Sequence, residues 1–401
     1  MIEVKVESFF SEHIKAALKN EPPGEWMTAL PNECIRLSSG YPDPSLVPAE
    51  QLQSAVVSLL EEEHDLPLHY LGSPKMEKLK EQIQGRLGER GMDVSTDELL
   101  ITSGACQAID LIARLLIDDQ TVVAIEAPTY MEALEVFQNY TKHFISIPVD
   151  EHGLQTTRLE EVLEDRNRKG LTLPRFLYTI PTFQNPTGTT MSAERRKHVL
   201  ELASKFNFLI LEDDAYGELS FHEQPVPLKA IDDEGRVLHV GSLSKIVAPG
   251  MRIGWVTAAS EFITALAWFK KDLDHPFAQA TMAAYLENTD LKKRLKTLRD
   301  TYEAKCAVLL YALEQYLPKS VSWYVPEGGY FVWVKLAVDT SQLLPKALQE
   351  GVSYVPGKYF FLNQQDGIKF LRLSFSYADQ KEIVEGIQKL GEVIKGTNFS
   401  R

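Results

Sequence analysis

Between Asp97 and Ala258 the chain repeats one arrangement, a short apolar run followed by a longer stretch of helical character. The runs are "LLITS", "TVVAIEAP", "HFISIPV", "RFLYTIP", "FLILED", "VLHVGS" and "MRIGWVTA", and in none of them do apolar and polar residues alternate cleanly. Strands of that kind are apolar on both faces, which suits a parallel sheet held between two layers of helices. The last two runs are joined only by "LSKIVAPG", which leaves no room for a crossover helix. The final strand is therefore expected to run antiparallel in an otherwise parallel sheet.

The flanks read differently. A helix is expected at the N-terminus, followed by the Pro/Gly-rich "NEPPGEW" and the irregular "SSGYPDPSLVP". A second helix covers Ala49 to Glu63, and a third follows "LHYLGSP" with Pro74 near its start. After about Asp290 a charged helix runs to roughly Leu317. The strand "GGYFVWVKL", the helix "DTSQLLPKALQE", the strand "FLRLSFS" and a C-terminal helix complete an α+β pattern. With 401 residues, 44% of them hydrophobic, two cores are expected. The division is a large α/β domain over 49–289 and a small α+β domain over 290–401, with segment 1–48 joining the small domain and helping to close over substrate.

Composition excludes several functions. The net charge is -14 and no basic stripe stands out, so nucleic acid is not an expected partner. The N-terminus has no signal-peptide pattern and no apolar run approaches the roughly 20 residues a bilayer requires. Cys34, Cys106 and Cys306 are widely spaced and odd in number, which favours reduced thiols. A cytoplasmic location is expected, without a membrane partner. No metal site is expected either: Asp213 and Asp214 lack a histidine or cysteine neighbour and, adjacent on a strand, should face opposite sides.

Four strand ends carry residues suited to chemistry. "TSGACQAID" turns helical at Gly104, and backbone N–H groups at such a start suit a phosphate, although ordinary helix capping gives the same pattern. Asn185 in "TIPTFQNPTG" places an amide donor beside a Pro-Gly turn, which is as readily only a turn. In "LILEDDAYGE", Asp213 suits a protonated heteroaromatic nitrogen and Tyr216 a nearby oxygen. Lys245 in "GSLSKIVAPGMRIGW" sits between two hydroxyl residues and an arginine. Partly removed from water, it would be available as a neutral amine for an imine or a proton transfer. Ser242 and Ser244 suit phosphate oxygens, as does Arg252; a plain surface loop is the competing reading.

Taken in order, "SGACQA", "NPTG", "DDAY", "SLSK", "MRIG" and "LRLSF" resemble the fold-type I pyridoxal-phosphate-dependent aminotransferases over almost the whole chain, closest to the 2-aminoadipate, aromatic and MocR-like branch. The resemblance implies pyridoxal 5'-phosphate as cofactor, with Lys245 as the lysine that carries it. It also implies Asp213 on the pyridine nitrogen, Asn185 and Tyr216 on the phenolic oxygen, and Tyr130 in "EAPTYMEAL" stacked on the ring. Phosphate contacts would come from Gly104, Ala105, Cys106, Ser242, Ser244 and Arg252, and from Tyr70 of a neighbouring subunit, which implies a homodimer with shared sites. Arg372 would bind the substrate α-carboxylate, beside Asn185 and the Gly40 loop. Two departures weaken any transfer of side-chain specificity: Ser39-Gly40 stands where paired glycines are common, and "SPKMEKLKEQI" lacks the usual arginine.

The implied activity moves an amino group from an L-amino acid to a 2-oxo acid such as 2-oxoglutarate. Tyr41 and the branch suggest an aromatic donor or 2-aminoadipate. Carbon–sulfur β-elimination on the same cofactor and a non-enzymatic ligand-sensing role are the alternatives.

Overall fold

A computed structural model of the chain describes residues 6–11, 14, 18, 33–70, 72–271 and 274–396. Its main sheet contains β1 (Leu99–Thr102), β2 (Val122–Ala127), β3 (His143–Asp150), β4 (Gly153–Leu154), β5 (Phe176–Thr179), β6 (Leu209–Asp213), β7 (Val237–Ser242) and β8 (Gly254–Thr257). Their spatial order is β1-β8-β7-β6-β5-β2-β3-β4. Strands β3, β2, β5, β6 and β7 pair in parallel.

The two faces of this sheet explain the unbroken apolar runs. Val123 and Ile125 of β2, with Tyr178, Leu211 and Leu238, pack under the helix Ala105–Leu116. The intervening residues Val122 and Ala124, with Leu177, Ile210 and Val237, pack against the helices Thr156–Arg168 and Ala193–Phe206 on the other side. Successive side chains alternate between faces, and each face is covered.

As its short connection requires, β8 runs antiparallel. It lies against β7 with Val256 opposite Val240, and against β1 with Trp255 opposite Ile101. One antiparallel strand does not complete the sheet, however. At the far edge β4 folds back on β3, with Gly153 opposite Asp150, as a two-residue hairpin that the sequence reading did not include. Gly153 has φ +85°, and a Cβ there would run into Met191, so this tight return depends on glycine.

A second sheet follows, formed by β9 (Ser322–Trp323), β10 (Phe331–Lys335), β11 (Val355–Pro356) and β12 (Phe370–Ser374) in the order β9-β10-β12-β11, all antiparallel. The expected helices appear as Ala49–Glu63, Lys75–Glu89, Leu291–Tyr316, Thr340–Gln349 and Gln380–Gly396. The early segment reaches this part of the chain. Ile35–Arg36 pairs in parallel with Val352–Ser353, and Ser374 N donates to Leu37 O at 2.7 Å. A buried ion pair, Lys305 Nζ to Asp43 Oδ2 at 2.5 Å, ties the following loop to the long helix.

Of the helix expected at the N-terminus, the described residues show a 3-10 turn at Val6–Phe9 and a helical Ile14 whose carbonyl accepts from Leu18 N at 2.9 Å, and the remainder falls outside the described residues. Among the described residues no helix is long and apolar enough to cross a membrane.

Candidate active site

The carboxyl ends of β1, β5, β6 and β7, where open α/β sheets collect their ligands, bring together most of the residues singled out above. Lys245 lies three residues beyond β7. Its partly buried Nζ donates to Gly40 O at 2.9 Å and stands 5.6 Å from the Tyr216 ring centroid and 5.9 Å from that of Tyr330. Burial, then the nearby Arg372 cation, lower its pKa to about 8. The Tyr330 hydroxyl donates to Lys245 O at 2.8 Å and fixes the turn that carries the amine. Thus the cluster of small hydroxyl residues surrounds a lysine drawn into the fold, within reach of the neutral state that nucleophilic and proton-transfer chemistry require.

Asp213 ends β6 and is buried. Its Oδ2 accepts from the Tyr178 hydroxyl at 2.8 Å, while Oδ1 has no partner. Burial raises its pKa to about 6 against the opposing pull of that hydrogen bond. A buried carboxylate oxygen without a donor is costly, and a protonated ring nitrogen is the kind of group that would satisfy it. Asp214 turns the other way, to Arg90 and toward His239 Nε2 at 3.8 Å, so the adjacent aspartates do face opposite sides.

Arg372, on β12 of the second sheet, reaches into the same space. Nη1 donates to Asn185 Oδ1 at 2.9 Å and Nη2 to Ser38 O at 3.0 Å, while Nε has no partner. The guanidinium lies 4.1 Å from the Phe331 ring centroid and 5.2 Å from that of Phe360. Burial lowers its pKa to about 10, which leaves it a cation at neutral pH. Since Asn185 uses its amide oxygen here, both amide N–H donors are left for a ligand. The turn carrying Asn185 is knitted by Gln184, whose Oε1 accepts from Thr187 N at 2.9 Å and whose Nε2 donates to buried Glu126 at 3.0 Å.

The helix Ala105–Leu116 begins at Gly104, which has φ +84° and no side-chain cap. A Cβ on Gly104 would collide with the Arg252 guanidinium, which donates to Ser103 O at 3.0 Å. Backbone donors of Ala105 and Cys106 and the Arg252 cation therefore share one corner, suited to an anion, while Gly104 N already donates to Thr102 O at 2.8 Å. Ser242 and Ser244 border it, but Ser242 Oγ donates to Ser244 Oγ at 2.8 Å and accepts from Ser244 N at 3.0 Å. In this state the two hydroxyls are held by each other.

Tyr130 precedes the helix Met131–Gln138 and bonds Glu132 through its hydroxyl, with Cys106 Sγ at 3.8 Å. Tyr216 is buried with its ring edge-on to Tyr330, 5.3 Å between centroids. Tyr70 is not part of this cluster; it is fully exposed. Sequence reasoning missed Tyr178, Glu126, Ser38 and Tyr330. The one available signal was a hydroxyl at Tyr178 inside an otherwise apolar buried run. A separate cavity of about 560 Å³ lies behind the Gly188 turn, where the Arg196 guanidinium is engaged by Met191 O, Val226 O and Pro181 O.

These residues fit pyridoxal phosphate: an amine of lowered pKa, an unpartnered buried carboxylate oxygen, free amide donors and an uncapped helix start beside an arginine. Comparison with known proteins agrees. The family model for aminotransferase class I and II matches residues 32–390. Aromatic-amino-acid aminotransferase 1 of Thermococcus litoralis is 38% identical over 396 residues, 97% of this chain and 94% of that protein. The crystal structure of Pyrococcus horikoshii kynurenine aminotransferase in complex with PMP superposes with a TM-score of 0.90 at 38% identity, covering 98% of each chain. LysN, the α-aminoadipate aminotransferase of Thermus thermophilus, complexed with N-(5'-phosphopyridoxyl)-L-leucine, gives 0.88 at 31% identity over 98% of this chain and 99% of that one.

Proposed function

The chain belongs to the class I and II aminotransferases, pyridoxal-phosphate-dependent enzymes that move an amino group from an amino acid to a 2-oxo acid, and we propose that Lys245, Asp213 and Arg372 are the residues through which it does so. The observation that carries this assignment is that an amine of lowered pKa, an unpartnered carboxylate oxygen and a forked cation meet at the ends of the same strands. When bound, pyridoxal phosphate supplies an aldehyde carbon for the amino group and a ring that delocalises charge.

Arg372 takes the donor's α-carboxylate through two parallel N–H groups, which fixes orientation as well as charge. Lys245 would hold the cofactor through its amine and would move the proton at the donor's Cα. Asp213 stays ionised and holds a proton on the ring nitrogen. Asn185 and Tyr216 hold the phenolic oxygen, and Tyr130 backs the ring. Ala105, Cys106, Ser242, Ser244 and Arg252 hold the phosphate.

The ionisable groups that act on Arg372 include Tyr216, Tyr130 and the Glu132 carboxylate, together with the Lys245 amine. Rings of Phe331 and Phe360 lie against it as well. Such an aromatic lining favours an aromatic donor over 2-aminoadipate, and the Gly40 loop with Tyr41 closes over that donor. The acceptor is a 2-oxo acid of the 2-oxoglutarate type.

Fully exposed Tyr70 belongs to the neighbouring site of a homodimer. In keeping with this, the chain divides functionally into segment 1–48, a large domain over 49–289 and a small domain over 290–401, and it works in the cytoplasm without a nucleic-acid partner.

Rapid-mixing absorbance of the cofactor-loaded protein with tyrosine, 2-aminoadipate, glutamate and alanine tests the assignment. Aromatic donors should convert the spectrum fastest, and 2-oxo acids should reverse the conversion. No conversion by any donor would reject the assignment, and faster conversion by 2-aminoadipate would reject the donor class. Mixing Tyr70→Ala protein with Lys245→Ala protein should restore part of the activity each lacks; no recovery after subunit exchange would exclude shared sites.

A further inference from the structure

Tyr178 has no role in the assignment above, yet it makes the closest polar contact to its central carboxylate. It lies on β5, one strand over from Asp213, and both side chains are buried. The ladder pairs Tyr178 with Leu211, so Asp213 is two residues further along β6 and on the same face of the sheet. From there the phenol reaches Oδ2 at 2.8 Å. The ring is held edge-on by Phe137, 5.3 Å between centroids at 71°, and Phe137 in turn meets Phe176 in the same manner. The ring is thus held where its hydroxyl donates to the Asp213 carboxylate.

We propose that Tyr178 is a positioning residue for the cofactor, occupying Oδ2 of Asp213 so that the carboxylate stays ionised and presents Oδ1 to the ring nitrogen. The inference rests on the cofactor assignment above. A carboxylate accepting a hydrogen bond is favoured over its acid, and Asp213 needs that help because little else near it does so. Around it stand Asp214 on the same strand, His239 on β7, Glu126 toward the end of β2, and Cys106, Tyr216 and Lys245 at the site, with Tyr130 acting on Tyr178. Burial and the Asp214 carboxylate push it toward the neutral acid; Tyr178, the Ala215 N–H and the His239 ring oppose them. A neutral Asp213 cannot balance a protonated ring nitrogen, so cofactor affinity should fall at acid pH, and Tyr178 should set where that fall begins.

The test measures pyridoxal phosphate affinity of the full chain between pH 5 and 8, read by quenching of protein fluorescence. All proteins carry Lys245→Ala, so that lysine's own titration does not enter. Tyr178→Phe keeps the ring and removes the proton. The acid limb of affinity should then move upward by about one pH unit, with about a tenfold loss of affinity on that limb and little change at pH 8. In an Asp213→Asn background the limb should be gone, and Tyr178→Phe should move nothing further. A uniform loss of affinity at all pH values would show a merely structural role and overturn the proposal, as would an unmoved limb, or a limb that survives Asp213→Asn. Absence of cofactor binding by wild-type protein, checked by borohydride trapping at Lys245, would instead remove the cofactor assignment beneath it.

Discussion

Replacing Lys245 with methionine keeps most of the stem and removes the charge, which isolates what that charge costs the cofactor-free fold. Burial and Arg372 hold the ammonium at about 8 in the folded chain, whereas an unfolded lysine titrates near 10.4. Between those values the unfolded chain binds more protons, so wild-type stability rises with pH across the window; below pH 8 the penalty is present in full. A gap of roughly 2.4 pH units corresponds to about 3 kcal/mol. The lost hydrogen bond from Nζ to Gly40 O offsets about 1 kcal/mol of that gain. The methionine variant should therefore be more stable than wild type by about 2 kcal/mol at pH 7, with the advantage nearly gone at pH 10. Urea unfolding of both proteins, stripped of cofactor, at pH 7, 8.5 and 10 gives the comparison. A difference that does not change with pH, or a wild type more stable at pH 7, would refute the claim that the fold holds this amine at a cost.

Other expectations follow from the same geometry. Arg372→Lys keeps the charge but loses the two-pronged donor to Asn185 and Ser38; the donor half-reaction should need about tenfold more substrate or worse, as rapid-mixing titration would show. Gly104→Ala forces a side chain into φ +84°, ψ 169° against Arg252; a stability loss of about 1–3 kcal/mol is expected, together with weaker cofactor retention measured by dialysis. Lys305→Met leaves Asp43 buried without its cation, and thermal and urea unfolding should report a loss of about 3–5 kcal/mol.

The strand-by-strand layout could be read from the chain because it follows from local pattern. Runs apolar at every position imply a sheet covered on both faces, and the connection between β7 and β8 is too short for anything but a return. The β4 hairpin escaped because two residues carry no periodicity; only the seating of Gly153 against Met191 reveals it. At the site, residues within the motifs were legible as chemical types at strand ends. Their partners were not. Tyr178 looks like any aromatic strand residue, and Glu126 like a stray carboxylate, until the register of neighbouring strands sets them beside Asp213 and Gln184.

By itself the sequence determined the alternation of strands and helices, the one reversed strand beside Lys245, and which residue types end each strand, since these depend on spacing along the chain. Packing in three dimensions is what lets Arg372, 127 positions beyond Lys245, bond Asn185, leaves Asp213 one oxygen without a donor, and puts Lys245 where its charge is penalised. Those facts depend on burial and on distances across space. The free energy of a buried charge is set by what surrounds it on every side, and spacing along a chain does not encode that.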